Sequence, residues 1–299
     1  AGTVTGFAGR SDGAHAWFAY TDFVTPRTVY RLDVATAATA PVRAPPATLA
    51  AAAFRVDRVT YPSRDGTPVP LTVVRRADTV DVGPQPTVLY GYGGFNVSLL
   101  PAYSAARMAW IEAGGTYAQA NLRGGGEFGE AWHRAGTREY KQNVFDDFIA
   151  AAEWLIGNGY TRPEKLGIWG GSNGGLLVGA VLNQRPELFG VAVPAVGVLD
   201  MLRYHTASLN ARQWSSDYGL SEDPDGFRVL YAYSPYHNLR AGYCYPPVLV
   251  QADANDDRVV PWHSYKYAAA LQAAVSAAPA CRSRVLLRTE TRSGHGAGA

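Results

Sequence analysis

Seven residues, Trp169-Gly170-Gly171-Ser172-Asn173-Gly174-Gly175, constrain this chain more than any other stretch. An apolar run ending at Trp169 enters them and a helix-compatible run beginning at Leu176 leaves them, so Ser172 stands at a strand-to-helix corner. A serine on so sharp a corner has strained backbone angles and projects its hydroxyl beyond the sheet, as in a G-x-S-x-G nucleophile elbow. Gly170 and Gly174 leave room for strand and helix to pass closely. The Asn173 amide would then sit at a helix N-terminus, free to receive an oxyanion. The plainer alternative is a glycine-rich turn with an incidental serine.

The segments around the elbow alternate in type. Strand patterns at 87–92, 116–122, 165–169, 190–196, 248–252 and 284–289 are interleaved with helix patterns at 103–113, 145–158, 173–183 and 262–277. The helix over 145–158 is read from Phe148, Ala152, Leu155 and Ile156, which share one face. Such alternation predicts a mostly parallel sheet with helices on both faces, preceded by a hairpin over 55–61 and 69–75 turning at Asp65-Gly66. Residues 1–50 read differently, as short β-prone pieces at 3–8, 16–19 and 28–34 separated by turn signals. They predict an antiparallel meander, too small to be stable uncovered and therefore the end of a larger β structure. The Ala- and Pro-rich stretch 38–53 reads as the linker out of it.

Composition excludes several roles. A formal charge of +2, with no arginine block interleaved with aromatics, argues against a nucleic-acid surface. The 47% hydrophobic content supplies a substantial core, yet no run of about 18 apolar residues suggests a membrane span and no signal peptide is visible. Cys244 and Cys281 could pair or stay reduced, and neither has metal-ligand spacing, so no metal or cofactor is expected. The compartment stays open, cytoplasmic or periplasmic.

A serine hydroxyl needs a histidine base, and the histidine needs a carboxylate to fix its tautomer. In α/β-hydrolases these follow in the order Ser, Asp or Glu, His, on loops beyond strand ends. Two loops after Ser172 fit: Asp253-Ala254-Asn255-Asp256-Asp257-Arg258, and Ser293-Gly294-His295-Gly296. His15 and His133 precede the serine, His205 and His237 precede the carboxylate loop, and His263 is placed to cap or pack a helix, leaving His295 as the base. Chain order alone does not separate Asp253, Asp256 and Asp257. The second oxyanion donor should come from the loop after an early strand, Tyr90-Gly91-Tyr92-Gly93-Gly94-Phe95.

Five stretches together resemble the prolyl oligopeptidase family of serine peptidases. They are Leu89 to Asn96, Asn121 to Glu130, Gly170 to Leu177, Asp256-Asp257-Arg258-Val259-Val260-Pro261, and Gly294-His295-Gly296-Ala297-Gly298. The resemblance implies an α/β-hydrolase fold over 51–299, preceded over 1–50 by the last part of a β-propeller that caps it. It implies cleavage of short peptides after proline by Ser172 as nucleophile, Asp256 as triad carboxylate and His295 as base. Tyr92 and Asn173 would form the oxyanion hole, and Arg258 would hold a substrate carbonyl. Trp214 would stack on the proline ring, with Phe95, Tyr218 and Val259 lining the same pocket. Proline is a flat apolar ring without an N–H, which suits a shallow aromatic pocket without buried charge. A monomer is expected. The family has an N-terminal segment and a closing C-terminal helix that have no counterpart in this sequence. An esterase or lipase would share the elbow and triad, and a non-catalytic binding module would share the fold.

Overall fold

The computed structural model describes residues 2–43, 51–79 and 82–296. Its first layer is a four-stranded antiparallel meander in the order β1-β2-β3-β4: Thr3–Gly9, His15–Thr21, Thr28–Asp33 and Thr39–Arg43. The last of these corrects the expectation of a linker from residue 38. Asp33 turns the chain by accepting from the Thr36 amide, Ala37 takes a positive φ of 56°, and pairing with β3 then supplies backbone bonds that an Ala- and Pro-rich composition does not advertise. Residues 44–50 of the expected linker lie outside the described residues.

The second sheet has eight strands in the order β12-β11-β10-β9-β7-β8-β6-β5. Strands β5 (Phe54–Pro62) and β6 (Pro68–Arg76) form the antiparallel hairpin, and β6 also runs antiparallel to β8 (Thr116–Ala120). The others, β7 (Thr87–Tyr90), β9 (Leu166–Gly171), β10 (Val191–Ala195), β11 (Val248–Asp253) and β12 (Val285–Glu290), are parallel to their neighbours. The helices are α1 (Ala105–Glu112), α2 (Glu130–Arg134), α3 (Gln142–Gly157), α4 (Asn173–Gln184), α5 (Ser215–Tyr218), α6 (Pro224–Tyr233) and α7 (Trp262–Ser276). Three of them, α2, α5 and α6, were not anticipated. For α6 the signal was present: Asp223 caps it by accepting from the Gly226 amide, with Pro224 at its first position.

Alternation along the strands separates two cores. Leu71, Val73 and Ala118 face the main core with Phe145 and Phe148 of α3, Leu176 of α4 and Leu271 of α7. Val74 and Tyr117 face the other way, against Met108 and Ile111 of α1. Phe23, from the turn between β2 and β3, joins this smaller core, and Arg107 lies over both its ring and that of Tyr117. The meander is therefore docked on the eight-stranded sheet. On this second face Trp169 is 42% exposed and packs beside Tyr90. Cys244 and Cys281 form a disulfide, resolving the alternative left by the sequence and tying the approach to β11 to the approach to β12. No helix among the described residues is long and apolar enough to cross a membrane.

Candidate active site

Ser172 leaves β9 with φ 59° and ψ −118°, a left-handed conformation that a residue with a side chain adopts only under constraint. The surroundings supply that constraint. The Ser172 amide donates to Ala195 O at 2.9 Å, and its carbonyl accepts from Gly175 and Leu176. A Cβ on Gly170 would stand 2.4 Å from Gly174 O, and one on Gly174 would stand 2.8 Å from Gly91 O, so both glycines permit close approach. Asn173 opens α4, in the turn where amides have no partner within the helix.

Tyr92 follows β7 in the glycine-rich loop. Its phenol is close enough to Ser172 to interact with the hydroxyl, and burial raises its pKa above the ordinary value, so it stays protonated and able to donate. Ser172 and Tyr92 line one cavity of about 270 Å³ with Phe95, Val198, Asn210, Trp214, Tyr218 and Arg258. The rings of Phe95 and Tyr218 meet edge to face at 5.3 Å, while Trp214 is parallel to Tyr204 at 6.2 Å. No carboxylate lines this cavity, and Arg258 has no ion-pair partner among the described residues. Val259 is absent from the lining: it is buried in the main core. Val198 and Asn210 complete the wall and carry no motif in the sequence. Only the folding of the loops after β10 brings them there.

The two terminal loops are laced together. Ala254 donates its amide to Glu290 O, Asn255 its side chain to Thr291 O, and Ser293 its hydroxyl to Asp253. This arrangement separates the three aspartates. Asp253 is engaged by Ser293, Asp257 is exposed, and Asp256 faces His295 with its Oδ2 2.6 Å from Nδ1. The amides of Arg258 and Val259 hold the other oxygen of Asp256 at 3.0 and 2.9 Å. A carboxylate on Nδ1 selects the tautomer with its proton there, leaving Nε2 as the basic nitrogen. The Asp256 side chain is fully buried and that of His295 is 12% exposed. No hydrogen bond among the described residues joins His295 to Ser172, so the pair Asp256–His295 and the pair Ser172–Tyr92 stand as two halves.

The other histidines are engaged elsewhere. His263 packs as expected, accepting from the Asp200 amide at 3.1 Å, and His133 meets Asp217 at 3.0 Å. His237 contacts Ser234, while His205 and His15 face Glu222 and Asp33. Among the described residues no cluster of His, Cys, Asp and Glu could hold a metal ion.

Residues 101–299 match the prolyl oligopeptidase family. The chain belongs to that family. It is 45% identical over 298 residues to the prolyl endopeptidase of Elizabethkingia miricola, an alignment covering 99% of this chain and 42% of that protein. With the prolyl endopeptidase of Dictyostelium discoideum it shares 44% identity over 249 residues, 82% of this chain and 32% of the other. A structure from an analysis of two prolyl endopeptidases superposes with a TM-score of 0.93 at 47% identity, covering 99% of this chain and 43% of that one. Prolyl oligopeptidase B from Galerina marginata, bound to a 35-residue hydrolysis and macrocyclization substrate, gives 0.90 at 38% identity over 97% of this chain and 41% of that one. The fold is thus that of prolyl oligopeptidases, an α/β-hydrolase preceded by the end of a β-propeller. The chain spans less than half the length of these relatives.

Proposed function

We propose that this chain carries the catalytic part of a serine endopeptidase that cleaves short peptides on the carboxyl side of proline. The observation that carries this reading is the cavity in which the strained Ser172 meets Tyr92, an aromatic wall and Arg258. Ser172 Oγ attacks the scissile carbonyl while His295 Nε2 takes its proton, and Asp256 stabilises the imidazolium that forms. The Asn173 N–H and Tyr92 O–H hold the oxyanion. Collapse breaks the C–N bond, His295 passes the proton to the leaving amine, and an acyl-enzyme ester remains. Water, deprotonated by His295, then releases the acid and restores the serine. This sequence requires His295 and Ser172 to come into hydrogen-bond contact, a contact that often tightens only with substrate bound.

Trp214 and Phe95 are suited to the faces of a proline ring, and a cavity without a carboxylate disfavours a basic side chain. Val259 supports the site through the amide it gives Asp256. We assign residues 1–50 to the end of the propeller and 51–299 to the peptidase domain, acting as a monomer on proline-containing peptides.

The test is hydrolysis of a blocked dipeptide ending in proline with a chromogenic leaving group, beside its alanine and arginine counterparts, by the full-length protein and its Trp214→Ala form. We expect selectivity for proline that falls about tenfold or more in Trp214→Ala, as one lost ring contact of 1–3 kcal/mol implies. Hydrolysis of simple acyl esters with indifference to the residue before the bond would favour an esterase instead. An unchanged preference in Trp214→Ala would remove that residue from the pocket.

A further inference from the structure

Beneath the oxyanion site lies a group the mechanism above does not use. Lys141, at the start of α3, is one of the largest fully buried side chains in the molecule. Its ammonium has no ion-pair partner among the described residues; it donates to Gly93 O at 2.8 Å and to Asn173 Oδ1 at 3.3 Å, and lies 5.4 Å from the centre of the Tyr218 ring. Burial pulls its pKa down to about 8, against the attraction of Asp217. Keeping an unpaired charge at this depth is costly, so the position demands an account beyond packing.

The partners of Lys141 are shared with the residues of the proposed site. Asn173 gives its amide group to Tyr92 O at 2.5 Å and accepts from the Tyr218 hydroxyl at 2.8 Å. Asp217 accepts from the Phe95 amide at 2.6 Å. The loop so held is conformationally unfavourable, since Phe95 and Asn96 both have φ of 57°. Two consecutive side-chain-bearing residues in the left-handed region persist only where neighbours over-determine them. Contacts here are close: a Cβ on Gly94 would stand 2.7 Å from the Asn173 side chain.

We propose that Lys141 is a positioning residue, whose ammonium clamps the Gly93 carbonyl and the Asn173 side chain together and so fixes the Tyr92 hydroxyl relative to Ser172. The proposal rests on the peptidase reading above. It acts through the loop backbone and touches neither substrate nor reacting atoms.

The test combines kinetics and hydrogen exchange on Lys141→Met and Lys141→Gln in the full chain. Because a misplacement of about 1 Å can cost on the order of a hundredfold in rate, Lys141→Met should lower kcat for the proline substrate about 30- to 100-fold with KM within about threefold. In a Tyr92→Phe background the same change should cost less than about threefold, since the hydroxyl it positions is already gone. The full factor in both backgrounds would overturn the proposal, as would a wild-type kcat. Should the methionine form fail to fold, Lys141→Gln, which keeps a donor, should act in the same direction with about a fivefold to tenfold loss. Amide exchange over 92–96 should accelerate about tenfold or more in either variant while α4 is unchanged. Unaltered exchange overturns the clamp even if the wild-type protein hydrolyses nothing, an outcome that would by itself sink only the peptidase reading.

Discussion

Two aspartates have fully buried side chains in this molecule and are held in opposite ways. Asp147, within α3, receives the Arg123 guanidinium at two nitrogens, the Arg123 amide and the Ser63 hydroxyl, while the same arginine reaches Asp65. Burial pushes the Asp147 carboxyl up and Arg123 pulls against it. Each acceptor oxygen is engaged, and the result locks the β5–β6 hairpin, the loop after β8 and α3 into one body. Asp256 is instead held by two backbone amides and offers its remaining oxygen to an imidazole on a separate loop. A saturated buried ion fixes structure. One that leaves an orientation to be imposed on a neighbour is available for chemistry.

Three measurements can break or sharpen that contrast. The largest effect is expected for Asp256→Asn, which preserves shape but favours the wrong histidine tautomer. By analogy with other triads its kcat on the proline substrate should fall on the order of 10⁴-fold with little loss of stability. Near-normal kcat would remove Asp256 from the machinery. Arg123→Met strands the Asp147 charge and should cost about 3–5 kcal/mol in urea denaturation, with kcat of the folded fraction retained. A kcat loss comparable to that of Asp256→Asn would show that the two aspartates do not differ in this way. The smallest effect concerns His263, a buried group with one nitrogen unpartnered. Burial lowers its pKa from about 6.5 to about 3. Between those values the unfolded chain takes up a proton that the folded chain refuses, so stability should fall as pH drops through the window, by at most about 1.4 kcal/mol per pH unit. Denaturation midpoints at pH 7, 5.5 and 4.5 should therefore converge in His263→Gln; an undiminished slope would assign the acid sensitivity to other groups.

What was legible in the sequence follows from the range of the forces involved. The elbow could be read because its glycines answer a local steric demand, and the strand and helix alternation because periodicity is local too. Asp256 could not be chosen from its neighbours by order, since what distinguishes it is a turn that aims two amides at one oxygen and a lacing to Ser293 that brings His295 alongside. The family resemblance was needed to name it. The β4 strand was hidden in an Ala- and Pro-rich stretch because its stability comes from β3. Lys141 was invisible for the same reason: its partners, Gly93 and Asn173, are 48 and 32 residues away. Arg123 lies inside the stretch Asn121 to Glu130, yet nothing local reveals that Asp147 meets it.

The strand order of the large sheet has a consequence for synthesis. From β9 onward each new strand is added to the growing edge, through β10 and β11 to β12. Chains emerge N-terminus first, and early parts can fold before later ones exist. The glycine-rich turn with Ser172 can therefore be formed while the loop carrying His295 has yet to leave the ribosome. On the proposed mechanism, a nascent chain would hold its nucleophile for some time without a base, and peptide-bond cleavage would be deferred until β12 has docked.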